Sequence, residues 1–294
     1  MLTLVFLLFA AVAEAVSPAP PSPTAIAAAA PAADWRAVPD DELLVMTLAD
    51  GRQVLIQLAP RFAPRHVDAV RRIAAAKWWD SGSSIYRVQD NYVAQWGDAT
   101  NKKPLPAGIA DNLPPEYDRA LDFRIVPSNS RDAYASQVGF SPDGWPVASD
   151  GKKVWLTHCY SSVGVGRDMA PSTGSGAELY AVIGHGPRHL DRNIATIGRV
   201  VEGMAALSSL PRGTGGGLGM YERPEQYVAI RRIELASALP ATDRPRIEYL
   251  SPLSGAFTRY VTARENREPP FFELPAGGAD ICNIPVPVRR AGVK

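Results

Sequence analysis

Cysteine is scarce in this chain of 294 residues: Cys159 and Cys282 are the only two. No spacing around them matches a zinc or iron–sulfur ligand set. Two readings stay open for the pair, one long-range bridge in an oxidising compartment or two lone buried thiols. An excess of charge of either sign is lacking as well, since 31 Lys and Arg stand against 30 Asp and Glu for a formal net charge of +1. That balance offers no electrostatic footprint for nucleic acid or anionic lipid, and both are set aside as partners. The apolar run from Leu2 to Val12, broken only by Thr3, is too short for a membrane span of about 20 residues.

That run ends in Ala13-Glu14-Ala15, the small-x-small pattern of a signal-peptidase site. Residues 1–15 therefore read as a signal peptide cleaved after Ala15, with an uncleaved anchor as the alternative because no Lys or Arg precedes the run. Residues 16–39 are rich in Pro and Ala, with Pro18, Pro20, Pro21, Pro23 and Pro31, and read as an extended tether. The expected address is the bacterial periplasm, with no stable membrane insertion after cleavage and a monomeric state.

The rest is ordinary for a globular chain, with 46% apolar and 21% charged residues. Glu42 to Leu48 and Arg52 to Leu58 are β-rich runs joined through Asp50-Gly51, a dipeptide suited to the positive φ of a hairpin turn. From His66 to Trp78 the residues Val67, Val70, Ile73, Ala74 and Trp78 form one helical stripe. Ser84 to Asp98 reads as two short strands broken at Gln89-Asp90-Asn91 by a bulge or tight turn, with Val93, Gln95 and Gly97 on one face. On this segment alone, Arg87 reads equally well as a solvated edge residue.

Residues 100–155 are irregular and proline-rich, and are expected to hold a short strand near Ala120 to Ile125 and a hairpin from Gly144 to Trp155. Short β-rich runs follow at Gly164 to Gly166, Ala177 to Ile183 and Ile194 to Val201, then a helix from Glu202 to Leu210 and a last strand from Tyr227 to Leu235. The tail from Pro240 carries a candidate helix, Pro252 to Arg264, and aromatic residues that suit packing on the body. About eight strands and two helices favour a mainly β barrel or sandwich of antiparallel strands.

Taken in order, Ala63-Pro64-Arg65-His66-Val67, Tyr86-Arg87-Val88, Tyr92-Val93-Ala94-Gln95-Trp96-Gly97-Asp98, Gly174-Ser175-Gly176-Ala177-Glu178-Leu179-Tyr180, Leu190-Asp191-Arg192-Asn193 and Ile197-Gly198-Arg199-Val200-Val201-Glu202-Gly203-Met204 resemble the cyclophilin-type peptidyl-prolyl cis-trans isomerases. The resemblance covers roughly Asp41 to Ala236, within an expected domain at 40–238 that carries an insertion at about 100–155 and is followed by an extension at 239–294. It implies an eight-stranded antiparallel barrel capped by two helices.

The same resemblance implies catalytic roles for Arg87, Gln95 and Tyr92. It implies substrate-binding roles for Val93, Glu178, Leu179, Tyr180, His189, Leu190 and Ile194, with proline-containing polypeptides as partners. Four positions depart from the family pattern. Glu178 stands for a glutamine, Trp96 for the first glycine of Gly-Gly-Asp, Ile194 for a common pocket histidine and His189 for a tryptophan or its equivalent. Glu178 either pairs with Arg87 or faces solvent.

Rotation about an X-Pro bond needs no nucleophile, metal or cofactor, and none is expected. It needs a donor near the prolyl nitrogen and a dry pocket for the ring, and Arg87 has the fixed charge and rigid donors for the first task. The competing reading from another class is a non-catalytic proline-binding or scaffold module on the same fold. His185 and His189, separated by Gly186-Pro187, make a poor metal pair; Ser172 to Gly176 lacks the Lys of a nucleotide loop and reads as a substrate-side loop; Ser162 and His158 lack a nucleophile elbow.

Overall fold

A computed structural model describes residues 20–269 and 271–292. The expected signal peptide, its cleavage position and the first residues of the expected tether lie outside the described residues.

Eight strands form a closed barrel: β1 (Leu43–Leu48), β2 (Gln53–Leu58), β3 (Ser84–Val88), β4 (Val93–Gly97), β5 (Ser162–Val165), β6 (Leu179–Val182), β7 (Thr196–Glu202) and β8 (Val228–Leu235). Their order around the barrel is β5, β6, β4, β3, β8, β1, β2, β7 and back to β5, every neighbouring pair antiparallel. The hairpin β1–β2 turns at Asp50-Gly51, where Gly51 takes a φ of 89°. Strand alternation fills the interior with Leu44, Met46, Val54, Ile56, Trp96, Leu179 and Ile197.

Four α-helices are described, α1 (Pro23–Ala28), α2 (Pro64–Ala75), α3 (Met204–Ser208) and α4 (Gly255–Glu265). Of these, α2 and α3 pack onto the barrel core through Val67, Val70, Ile73, Ala206 and Leu207. The stripe read from His66 to Trp78 is shorter as a helix, because Lys77 adopts a left-handed φ of 54° and puts Trp78 into a separate turn. The amide groups that open α2 receive no cap from Ala63. Glu116 of the insertion serves instead, accepting from the backbone N–H of Arg65 and of His66, each at 2.9 Å.

The insertion holds more order than its sequence suggests. Short strands at Arg119–Ala120, Val126–Pro127, Gln137–Phe140, Pro146–Ser149 and Lys153–Leu156 form one five-stranded sheet, whose Trp145, Val147, Val154 and Leu156 pack against Ala59 and Phe62. Buried Arg199 of β7 fastens it down, donating from Nη1 to the Gly144 carbonyl at 2.7 Å and from Nη2 to Gln57 Oε1 at 2.8 Å.

The extended tether is corrected over the described residues 20–39. Helix α1 packs with Ile26, Ala27, Ala30 and Trp35 on a second core formed with Phe140, Phe257, Tyr260 and Ile284, and Trp35–Ala37 pairs with Ile247–Leu250. Proline-rich composition mimics a linker here because the apolar partners lie more than a hundred residues away, in the insertion and the tail. Cys159 and Cys282 form a disulfide that ties this tail to the body, which settles the alternative left open by the sequence.

Candidate active site

The site is built on β3 and β4. Ile85 lies opposite Trp96 and Arg87 opposite Gln95, so Tyr86 is the extra residue of a bulge. Ile85 and Val88 stay in the barrel core, while Tyr86 and Arg87 both reach the Gln95 side chain. Without the extra residue, strict alternation would send one of them inward.

Hydrogen bonds fix this pair from several sides. Arg87 Nη1 donates to Gln95 Oε1 at 3.0 Å, Nη2 to Gln89 Oε1 at 2.5 Å and Nε to the Leu218 carbonyl at 2.7 Å. The other end of Gln95 donates to Tyr86 Oη at 2.6 Å, and Tyr86 donates onward to Glu178 Oε2 at 2.7 Å. Burial lowers the Arg87 pKa, while the phenols of Tyr92, Tyr86 and Tyr180 act in the opposite sense.

The Leu218 carbonyl belongs to a loop, Gly213 to Met220, that runs along the free part of β3. Val88 N–H donates to Gly219 O at 2.7 Å, and Gly213 N–H donates to Val88 O at 2.9 Å. Gly219 has a φ of 73°, and a Cβ there would lie 2.4 Å from the Gln89 Cα, so this approach requires glycine.

Beside the guanidinium is an apolar cluster, the candidate pocket. Val93, Tyr180 and Val182 are its buried members, against which Tyr92, Leu190 and Ile194 pack half-buried. The Arg87 Cζ stands 5.8 Å from the Tyr92 ring centroid. Exposed His189 stacks on Tyr92 with ring planes 8° apart and centroids 6.2 Å apart.

Register decides which expected residues meet here. Tyr180 lies opposite Gln95 and Val182 opposite Val93, on the outer face. Leu179 lies opposite Trp96, and both side chains are fully buried in the barrel core. Leu179 is therefore corrected from substrate-binding to core, and Trp96 departs from the family pattern without entering the pocket. Glu178 adopts neither expected role: instead of pairing with Arg87 or facing solvent, it accepts from Tyr86 and from the Asp98 backbone N–H at 2.7 Å.

A second network braces the pocket from behind. Tyr180 Oη lies 2.9 Å from His158 Nε2, His158 Nδ1 lies 3.1 Å from Asp191 Oδ1, and Arg188 Nε donates to Asp191 Oδ2 at 2.6 Å. Burial by itself raises the Asp191 pKa, but the His158 hydrogen bonds and the Arg188 charge outweigh it and hold the carboxyl below its ordinary range. Ser162 Oγ donates to the Thr157 carbonyl, away from His158. Among the described residues no cluster of three or more His, Cys, Asp or Glu is arranged to hold a metal.

Sequence reasoning did not assign Tyr86, Gln89, the 213–219 loop or His158 to the site. The clustered glycines of that loop were a visible signal of close backbone approach. The others depend on strand register and on contacts across the chain.

Comparison with known proteins agrees with the barrel fold. Residues 43–235 match the family model described as cyclophilin type peptidyl-prolyl cis-trans isomerase/CLD. Probable peptidyl-prolyl cis-trans isomerases of Brucella suis biovar 1 and of Brucella melitensis biotype 1 are each 22% identical over 190 residues, covering 64% of this chain and 81% of theirs. The crystal structure of cyclophilin AquaCyp293 from Hirschia baltica is similar in fold, with a TM-score of 0.67 at 24% identity over 87% of this chain and 93% of that one.

Proposed function

Since this chain belongs to the cyclophilin-type peptidyl-prolyl cis-trans isomerases, we propose that it catalyses rotation about X-Pro bonds in exported polypeptides of the bacterial periplasm, with Arg87, Gln95 and Tyr92 as its central catalytic side chains. The observation that carries this reading is the state of the Arg87 donors. A guanidinium has five N–H groups, and three of them go to neutral acceptors on Gln95, Gln89 and Leu218. The remaining two have no partner among the described residues, and the group lies beside an apolar pocket of the right chemistry for a proline ring.

The barrier to be lowered is about 20 kcal/mol, because the amide nitrogen is conjugated with its carbonyl. When the nitrogen turns pyramidal, its lone pair becomes an acceptor. A fixed donor aimed at that lone pair binds the twisted amide better than the planar one, which is the condition for acceleration. In this reading the ring sits on Val93 and Tyr180, bounded by Tyr92, Leu190 and Ile194. Gln95 holds the guanidinium still, so that little reorganisation accompanies the twist.

An NMR exchange measurement on an X-Pro peptide tests the proposal. Catalytic amounts of protein are expected to broaden and merge the cis and trans resonances. A peptide that binds with no acceleration would replace the isomerase reading with that of a proline-binding module.

A further inference from the structure

Glu178 raises a chemical question, because the related family often carries a glutamine at this position. Each of its carboxylate oxygens accepts from a different donor: Oε2 from the Tyr86 hydroxyl and Oε1 from the Asp98 backbone N–H, both at 2.7 Å. A carboxamide has only one acceptor oxygen and would turn its NH₂ toward one of these donors. The opposing strand makes room for the group, since a Cβ on Gly97 would lie 2.1 Å from the carboxylate oxygens and the φ of 154° at Gly97 favours glycine.

The chain of donors has one consistent direction. Arg87 donates to Gln95, Gln95 to Tyr86 and Tyr86 to Glu178. With the Gln95 oxygen committed to the guanidinium, its NH₂ must face Tyr86, so the phenol proton must go to Glu178. A protonated Glu178 would compete as a donor, release the phenol and loosen the hold on Gln95. Tyr86 and Asp98 are the titratable groups that face Glu178, and Arg87 is the cation at the far end of the relay.

We propose, on the isomerase reading above, that Glu178 is a positioning residue for Arg87, acting through Tyr86 and Gln95 and only as a carboxylate. It never touches the prolyl amide in this scheme. Its place is the terminal acceptor of the relay, which orients the guanidinium without occupying the two N–H groups left for substrate. A direct ion pair would take those donors. Burial, reinforced by the nearby Asp98 charge, raises the Glu178 pKa despite the hydrogen bonds from Tyr86 and Asp98, and brings its protonation closer to the working range.

The test compares wild type with Glu178→Gln, Tyr86→Phe and the double variant by NMR exchange on an X-Pro peptide across pH. Each single change is expected to lower kcat/KM about tenfold, the effect of losing one hydrogen bond to a charged group, mainly in kcat. The double variant should be no slower than the slower single one, and the fall in rate on the acid side should be missing from Glu178→Gln. Unchanged rates, additive losses or an acid limb that persists in Glu178→Gln would each overturn the proposal. Arginine side-chain ¹⁵N spectra give a readout independent of catalysis. If the wild type accelerates nothing, the isomerase reading fails, while Glu178→Gln must still speed the exchange of the Arg87 Nη protons for the relay to stand.

Discussion

Tyr180 Oη and His158 Nε2 stand 2.9 Å apart in the interior, so a wall of the candidate proline pocket is pinned by a residue next to the disulfide that holds the tail. The phenol pKa is pushed well above its ordinary value, chiefly by burial, and Tyr180 remains a neutral partner. The extension and the candidate site thus meet at the segment 155–162, where Trp155 also donates to Asp191 at 3.3 Å.

Tyr180→Phe keeps the ring that lines the pocket and removes only this bond. Thr196 Oγ1, 3.3 Å from the same nitrogen, remains as a weaker partner. The expected result is a stability loss of about 1 kcal/mol in urea unfolding, at the low end for a buried group left short of a partner, with kcat/KM changed less than twofold. A large loss of activity at unchanged stability would contradict this assignment.

Leu179 and Ile194 should separate cleanly. Leu179 is fully buried in the barrel core, so Leu179→Ala is expected to cost about 2–5 kcal/mol of stability, as core truncations do. Ile194 is half-buried at the pocket, so Ile194→Ala is expected to raise KM at a smaller cost in stability. Thermal unfolding and peptide titration of the two variants check this. A Leu179→Ala protein of normal stability and weak peptide binding would restore the role that its register denies it.

Asp191 gives the pH dependence a sign. Its pKa is lowered in the folded state from the ordinary 3.8, so its carboxylate stabilises the fold at pH above the unfolded value and that contribution is lost as pH falls through the folded value. Glu178, whose pKa is raised, acts in the opposite sense, since its charged form costs stability that protonation relieves. Urea unfolding followed from about pH 5 to about pH 3 should therefore fall less steeply for Asp191→Asn than for wild type. Parallel curves would show that the His158–Asp191–Arg188 network contributes no pH-dependent stability.

Much of the barrel was legible because its signals are local. Asp50-Gly51 marks a turn by backbone conformation, and the alternation of Val93, Gln95 and Gly97 follows from the two-residue period of a strand. The ordered motifs around Arg87 and Tyr180 pointed to the candidate site, but they did not sort its faces. In the run Glu178-Leu179-Tyr180 the middle residue turns inward, a consequence of the period and of its register against Trp96. The Glu178 relay was out of reach because it needs the extra residue on β3 and the pairing of two strands more than eighty residues apart. Residues 20–39 misled for another reason. Their prolines describe the local backbone, whereas Ile26, Ala30 and Trp35 acquire partners only from the distant insertion and tail.

The central claim is that the Arg87 guanidinium acts on the twisted amide. The most direct measurement is the catalysed cis–trans exchange rate of an X-Pro peptide for wild type, Arg87→Lys and Arg87→Ala, with peptide binding measured alongside. Loss of a donor aimed at the transition state predicts a fall of about 10²-fold or more in Arg87→Ala. Peptide affinity should be largely kept, and Arg87→Lys should recover little because an ammonium cannot hold Gln95, Gln89 and Leu218 together. Exchange rates equal to wild type in Arg87→Ala would contradict the account.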